Sequence, residues 1–221
     1  MDIPLPLDKL SLGSLDQGVS PNSVTKDRIY VVLVSTGSFN PPTYMHLRMF
    51  ELARDALNSE GYCVIGGYMS PVNDTYKKRA KQSSYQRTLT VLARIQSCLC
   101  RTGVISRESL KVMLVCGSDL LESICIPGVW ISEQVRTICR DYGVVCIRRE
   151  GKDIEKIISE DEILNENKAN IKIVDEHVPN QISSTRLREC ISKGLSVKYL
   201  TADEVIDYIR QQNLYSKSSE E

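Results

Sequence analysis

Apolar positions along the chain alternate between short continuous runs and longer stretches in which they recur every three or four residues. Residues 29–35 (IYVVLVS) are β-branched and almost wholly apolar, which predicts a strand buried on both faces of a parallel sheet. Residues 43–58 carry Met45, Leu47, Met49, Phe50, Leu52, Ala53, Ala56 and Leu57 along one broad side and predict a helix. The run 62–69 ends at Ser70-Pro71 and reads as a second strand, followed by the basic stretch YKKRAK. Helical spacing over 85–100, a strand at 111–116 (KVMLVC) and a short helix at 120–124 come next. A helix at 132–141 with Ser132 as its N-cap, strands at 144–148 and 171–175, and helices at 183–192 and 202–212 complete the pattern. Strand alternating with helix predicts an α/β fold: a doubly wound, Rossmann-like, mostly parallel sheet with helices on both faces.

Residues 1–27 mix Pro, Gly, Ser and Asp with scattered leucines and show no period, so they are expected to be a flexible tail. A single domain over 28–215 and a short flexible tail over 216–221 account for the rest. The 28 Lys and Arg balance the 28 Asp and Glu, so any attraction for phosphate must be local, and nucleic acid is an unexpected partner. The chain has no apolar run of membrane-spanning length and no basic, then apolar, leader. Its eight cysteines sit mostly in apolar runs and never as CxxC, which suits buried thiols in a reducing compartment, nucleus or cytoplasm.

The most informative passage runs from the first strand into TGSFNPPTYMHLRMFELA. A buried strand leading through a Gly-containing turn into a helix N-terminus is where doubly wound folds receive phosphate, on unpaired N–H groups at the positive end of the helix dipole. Gly37 permits close approach of backbone to ligand. The loop is neither GxGxxG nor a Walker loop, so hydride transfer and P-loop hydrolysis lose support. Thr43 and His46, three apart, share one face of the first helical turn. A protonated imidazole there would hydrogen-bond phosphate oxygens as charge builds on them, with the Thr43 hydroxyl as a second donor. The competing reading makes Thr43 an N-cap and His46 a satisfied helix residue.

The string GSFNPPTYMH fits the pattern G-x-F-x-P-x-(H/T)-x-x-H. Together with SPVNDTYKK, CGSDLL, GVW and ISSTRLR, in that order, it makes residues 31–215 resemble the eukaryotic, plant-like nicotinamide/nicotinate mononucleotide adenylyltransferases of the nucleotidylyltransferase superfamily. The resemblance implies adenylyl transfer from ATP to nicotinamide or nicotinate mononucleotide, giving NAD or deamido-NAD and pyrophosphate. It assigns catalysis to His46 and Thr43, and ATP phosphates to Gly37, Ser38, Ser183, Ser184, Thr185 and Arg188. The mononucleotide falls to Phe39, Tyr76, Lys78, Gly117, Asp119, Val129, Trp130, Glu176 and Asn180, with Trp130 stacking on or walling the pyridine ring. His177 matches no assigned role.

Mg²⁺ is expected to travel with ATP, with no protein side chain as its ligand and no tightly bound cofactor. Positioning and charge stabilisation suffice for such a transfer, without a covalent intermediate or a general base. Homo-oligomerisation is left open. The chain also departs from the family pattern: RAKQSS joins the YKK motif directly to the next helix where members carry a further strand and a Trp-Glu element. A strand lost from a sheet edge costs less than one lost from the interior, so the fold should survive with weakened pyridine binding. The alternative function is therefore a catalytically impaired nucleotide-binding isoform or regulatory partner. Transfer to a pantetheine phosphate fits the first loop but not Trp130 or ISSTRLR.

Overall fold

The computed structural model describes residues 5–12, 28–71, 88–103 and 105–216. In chain order the elements are β1 (Tyr30–Gly37), α1 (Tyr44–Ser59), β2 (Cys63–Pro71), α2 (Thr88–Arg101), β3 (Leu110–Gly117), α3 (Ser118–Ile124) and α4 (Ser132–Thr137). They continue with β4 (Val144–Ile147), α5 (Ile154–Glu160), α6 (Glu162–Glu166), β5 (Ile171–Val174), α7 (Ser184–Ser192) and α8 (Asp203–Gln211). All strand pairs are parallel, in the order β2-β1-β3-β4-β5. The chain therefore reverses its direction of winding between β1 and β3, whose carboxyl ends open the crevice in which open α/β sheets bind ligands.

The period of two in the strands divides the core. Val32, Val34, Val112, Leu114, Cys116, Val144 and Cys146 face one side, where residues of α2 to α6 cover them. Val31, Leu33, Met113, Val115, Val145 and Ile147 face the other, where Met45, Met49, Leu52, Ala53 and Leu57 of α1 pack. A smaller cluster of Leu187, Val197 and Ile206 joins α7 to α8 and reaches the α1 side through Ile182. The fold class read from the sequence, with helices on both faces, is the one observed.

Some expectations need correction. Ser132 is the first residue of α4 rather than its cap; Ile131 holds the cap position and makes no side-chain capping bond. The expected helix to 141 stops being α-helical at Thr137 and continues as a five-residue π-helical turn, Ile138–Tyr142. Gly143 (φ 89°) then breaks the helix and turns the chain into β4. Its missing side chain matters, because a Cβ there would lie 3.2 Å from the Asn170 carbonyl oxygen. The short helices α5 and α6 were not expected. Asp153 and Asp161 cap them by accepting the N–H of Lys156 and Leu164.

All eight cysteines are free thiols. Cys116 and Cys146, opposite one another in the β3–β4 ladder, and Cys139 are fully buried, but Cys125 is exposed. Burial pushes the Cys139 thiol up to about 11, so it stays protonated and acts as a small apolar side chain.

Residues 5–12, within the stretch read as a tail, pack on the edge strand β2. The Ser11 N–H donates to the Ile65 carbonyl at 2.7 Å, the Tyr68 hydroxyl donates to the Pro6 carbonyl at 3.1 Å, and Leu10 is buried. Gly66 makes room for this segment, since a Cβ there would stand 2.7 Å from Leu10 Cδ2. Leu10→Ala should therefore lower the unfolding free energy by about 2 kcal/mol. Chemical denaturation checks this, and a free tail would give no change.

Candidate active site

The loop after β1 carries the sequence Ser38-Phe39-Asn40-Pro41-Pro42, and its two prolines supply no backbone N–H. It therefore cannot close its own hydrogen bonds, and the carbonyls of residues 40–42 look outward for donors. Helix α7 and the segment before α8 supply them. Arg188 donates through Nη1 to the Asn40 carbonyl at 2.6 Å, Ser184 Oγ to that of Pro41 at 2.8 Å, and Thr201 Oγ1 to that of Pro42 at 2.7 Å. In return the Tyr44 N–H donates to the Leu200 carbonyl at 3.1 Å. The N-termini of α1 and α7 are thereby held side by side.

At the start of α1, Thr43 is the N-cap and His46 reaches back to it. The Thr43 N–H donates to His46 Nδ1 at 2.9 Å, and Thr43 Oγ1 lies 3.0 Å from the same nitrogen. This is the reciprocal arrangement of a capping box, with histidine in place of the usual acidic or amide residue. Nδ1 must accept, so the neutral ring carries its proton on Nε2, which is left for a ligand. Phe39, at a left-handed φ of 43°, meets the imidazole edge to face with centroids 5.0 Å apart. Burial, and secondarily the Arg149 charge, hold the His46 pKa below its ordinary value. At neutral pH the ring is therefore a neutral Nε2–H donor before phosphate arrives. Thr43 is buried, with its N–H and its hydroxyl both facing the ring nitrogen, so it orients the imidazole.

Gly37 ends β1, with Ser38 exposed just beyond it. Gly117 ends β3 and precedes Asp119 in the first turn of α3. Beside Gly117 stands Arg149, which follows β4. Its Nη1 donates to Asp119 at 2.6 Å, and its Nε would be 3.4 Å from a Cβ on Gly117, so glycine leaves the guanidinium room.

Ser183 caps α7 by accepting the Arg186 N–H at 3.2 Å, and Ser184 is committed to Pro41. Both serine hydroxyls, expected at phosphate, thus also have partners within the protein. What α7 offers an anion is its first-turn N–H groups, at Ser184 and Thr185, together with Arg188. Arg188 spends two of its five donors, on Asn40 and on Thr185 Oγ1 at 3.2 Å. Asn180 is folded inward, its Oδ1 accepting the Ile182 N–H at 2.9 Å. A hollow of about 250 Å³ is lined by Arg149, Glu150, Gly151, Asn180, Gln181, Ile182, Ser183 and Arg186.

Glu176, nearly buried at its side chain, accepts from Arg48 of α1 at 3.3 Å. Trp130 is held by its indole N–H donating to Ser123 Oγ at 3.0 Å and packs on the α3 side of the sheet, while Val129 beside it is exposed. Tyr76 and Lys78 lie outside the described residues. The structure thus gathers Gly37, Ser38, Phe39, Thr43, His46, Gly117, Asp119, Asn180, Ser183, Ser184, Thr185 and Arg188 around the β1–β3 crevice. It ties Glu176 to α1 and holds Trp130, with Val129 beside it, against α3, the helix that begins at the crevice. Arg149, Arg48, Thr201 and Tyr215 were missed by sequence reasoning. The position of Arg149 at the carboxyl end of a parallel strand was the available signal for it. Among the described residues, no group of three or more His, Cys, Asp and Glu side chains could hold a metal ion.

Residues 34–190 match the model of the cytidylyltransferase-like family. The chain is 60% identical over 245 positions to a nicotinamide/nicotinic acid mononucleotide adenylyltransferase of Arabidopsis thaliana, covering 98% of this chain and 99% of that protein. It belongs to the nicotinamide/nicotinic acid mononucleotide adenylyltransferase family. A family member of the same description from Oryza sativa subsp. japonica is 54% identical over 246 positions, with 99% and 96% covered. One from Bos taurus is 35% identical over 258 positions, with 88% and 92% covered. The first alignment runs over 245 positions against the 221 residues of this chain, so at least 24 positions of that relative have no counterpart here. The segment expected to be absent, after the YKK motif, falls outside the described residues.

The depressed His46 pKa has a consequence for stability. The unfolded chain takes up the histidine proton at higher pH than the folded one, so this group withdraws stability as pH falls below about 6.5. The loss is complete once pH is below the folded value. Between about pH 7.5 and about pH 5.5, His46→Gln, which cannot take that proton, should lose less melting temperature than the parent. Paired thermal melts check this, and a loss as large in the variant contradicts it.

Proposed function

We propose that the chain transfers AMP from MgATP to nicotinamide mononucleotide or nicotinate mononucleotide, releasing pyrophosphate. The observation that carries this reading is the junction of α1 and α7. Two helix N-termini, His46 Nε2 and the unspent donors of Arg188 converge where one triphosphate fits, beside the β1–β3 crevice. A phosphate oxygen of the mononucleotide attacks the α-phosphorus of ATP and forms the new P–O bond. The bond from the α-phosphorus to the bridging oxygen of pyrophosphate breaks, and pyrophosphate leaves with that electron pair.

Charge grows on the α-phosphoryl oxygens and on the leaving group. His46, as a neutral N–H donor held by Thr43, meets that charge, as do the N–H groups after Gly37 and at Ser184 and Thr185. Approach of the polyanion raises the imidazole pKa, so the ring donates more strongly as the reaction proceeds. Arg188 grips the β- and γ-phosphates with a fork of donors whose direction Asn40 and Thr185 fix. The hollow beside Asn180 and Arg149 takes a nucleoside. Gly117, Asp119, Val129, Trp130, Glu176 and Asn180, with Phe39, Tyr76 and Lys78, serve the mononucleotide. Mg²⁺ enters as part of the ATP complex, where it bridges phosphate oxygens and offsets their charge.

Near-full-length identity to relatives of that name favours an active enzyme over a purely binding isoform. The free thiols suit a reducing compartment, nucleus or cytoplasm. ATP, Mg²⁺ and either mononucleotide should yield dinucleotide and pyrophosphate, with His46→Ala about 10²- to 10³-fold slower in kcat. Coupled assays of both substrates check this, and absence of dinucleotide from the parent would refute the reading.

A further inference from the structure

Residues 212–216, beyond α8, take no part in the transfer described above, yet they return to the phosphate loop. Asn213 and Tyr215 adopt left-handed backbone angles, φ 49° and 63°, which non-glycine residues take only at a cost. Between them the Leu214 N–H donates to the Ile209 carbonyl at 3.0 Å and folds the chain back on the end of α8. What this reversal secures is one contact: the Tyr215 hydroxyl donates to the side-chain oxygen of Asn40.

Asn40 is also the residue whose carbonyl accepts from Arg188. A single loop residue is therefore held by side chain and main chain at once, by two groups from the C-terminal part of the chain. It is followed by proline and preceded by Phe39 at a positive φ, so its neighbours offer little ordinary hydrogen bonding to fix it. We propose that Tyr215 is a positioning residue for Arg188. Its hydroxyl fixes Asn40, the Asn40 carbonyl fixes the guanidinium, and the remaining guanidinium donors stay turned to the polyphosphate of ATP. The proposal rests on the adenylyl-transfer reading and adds to it a residue that touches no substrate.

The physical content is preorganisation. Arg188 is only half-buried, and a long side chain without a fixed acceptor must be ordered each time the anion binds. Loss of one neutral hydrogen bond upstream should weaken MgATP by about 3- to 10-fold and leave the mononucleotide untouched. Burial raises the Tyr215 pKa, so the phenol keeps the proton it donates throughout the neutral range.

The test is a cycle of Tyr215→Phe and Arg188→Ala, with Arg188→Lys as the milder background, read by MgATP calorimetry and by KM for each substrate. Tyr215→Phe should melt as the parent does, bind MgATP about 3- to 10-fold more weakly, and keep its mononucleotide KM. In the Arg188 variants the same change should cost nothing further. A parent that binds MgATP with a Tyr215→Phe variant that binds it equally well overturns the proposal. So do losses that add in full, or a variant in which both KM values and the melting temperature shift together. A parent that neither binds MgATP nor forms dinucleotide overturns instead the reading beneath it.

Discussion

Three consecutive carbonyls, at Asn40, Pro41 and Pro42, must find donors outside their own loop, and the rest of the site depends on how they do so. A pair of prolines removes the N–H groups that would let this stretch join a strand or a helix. Arg188, Ser184 and Thr201 answer them one by one, from α7 and from the segment before α8. A feature that looks like a defect of local structure thereby becomes the tie between the first and last parts of the fold. Because the loop opens α1, fixing it also fixes the imidazole that caps α1.

The sheet places this junction. With β1 and β3 adjacent and the chain winding outward on either side of them, the loops after these strands diverge and leave a crevice between them. Arg149 reaches it from the end of β4, held by Asp119 and accommodated by Gly117. A chain of zero net charge thus builds local positive potential from two helix N-termini and a few arginines, each of which also has a carboxylate or carbonyl to hold it. A neutral histidine is consistent with that field, since burial first and the nearby guanidinium second oppose a positive charge on the ring until phosphate arrives.

Legibility from the sequence followed the reach of each signal. The continuous apolar runs of β1, β3 and β4 and the helical stripe of α1 gave the fold class, because burial on both faces of a parallel sheet leaves little choice of residue. The pairing of Thr43 with His46 was visible in their spacing, but its direction was not. Which atom donates to which depends on cap geometry, and the structure shows Thr43 orienting the ring. The Ser183 and Ser184 contacts were hidden for the same reason, since a hydroxyl at a helix start serves the backbone as readily as a ligand. The Tyr215–Asn40 and Arg48–Glu176 contacts join residues far apart in sequence and leave no local period. Leu10 was obscured by a surrounding stretch of Pro, Gly and Ser that has no period at all.

The central claim is that one triphosphate site lies between the start of α1 and the start of α7. A crystal structure of the chain with Mg²⁺ and a non-transferable ATP analogue, methylene-bridged between its α- and β-phosphorus atoms, tests it directly. The account predicts the polyphosphate within hydrogen-bond reach of His46 Nε2, of the Ser184 and Thr185 N–H groups and of the Arg188 guanidinium, with the Asn40, Pro41 and Pro42 ties intact. An analogue bound elsewhere, or bound here only after those three ties have broken, would contradict it.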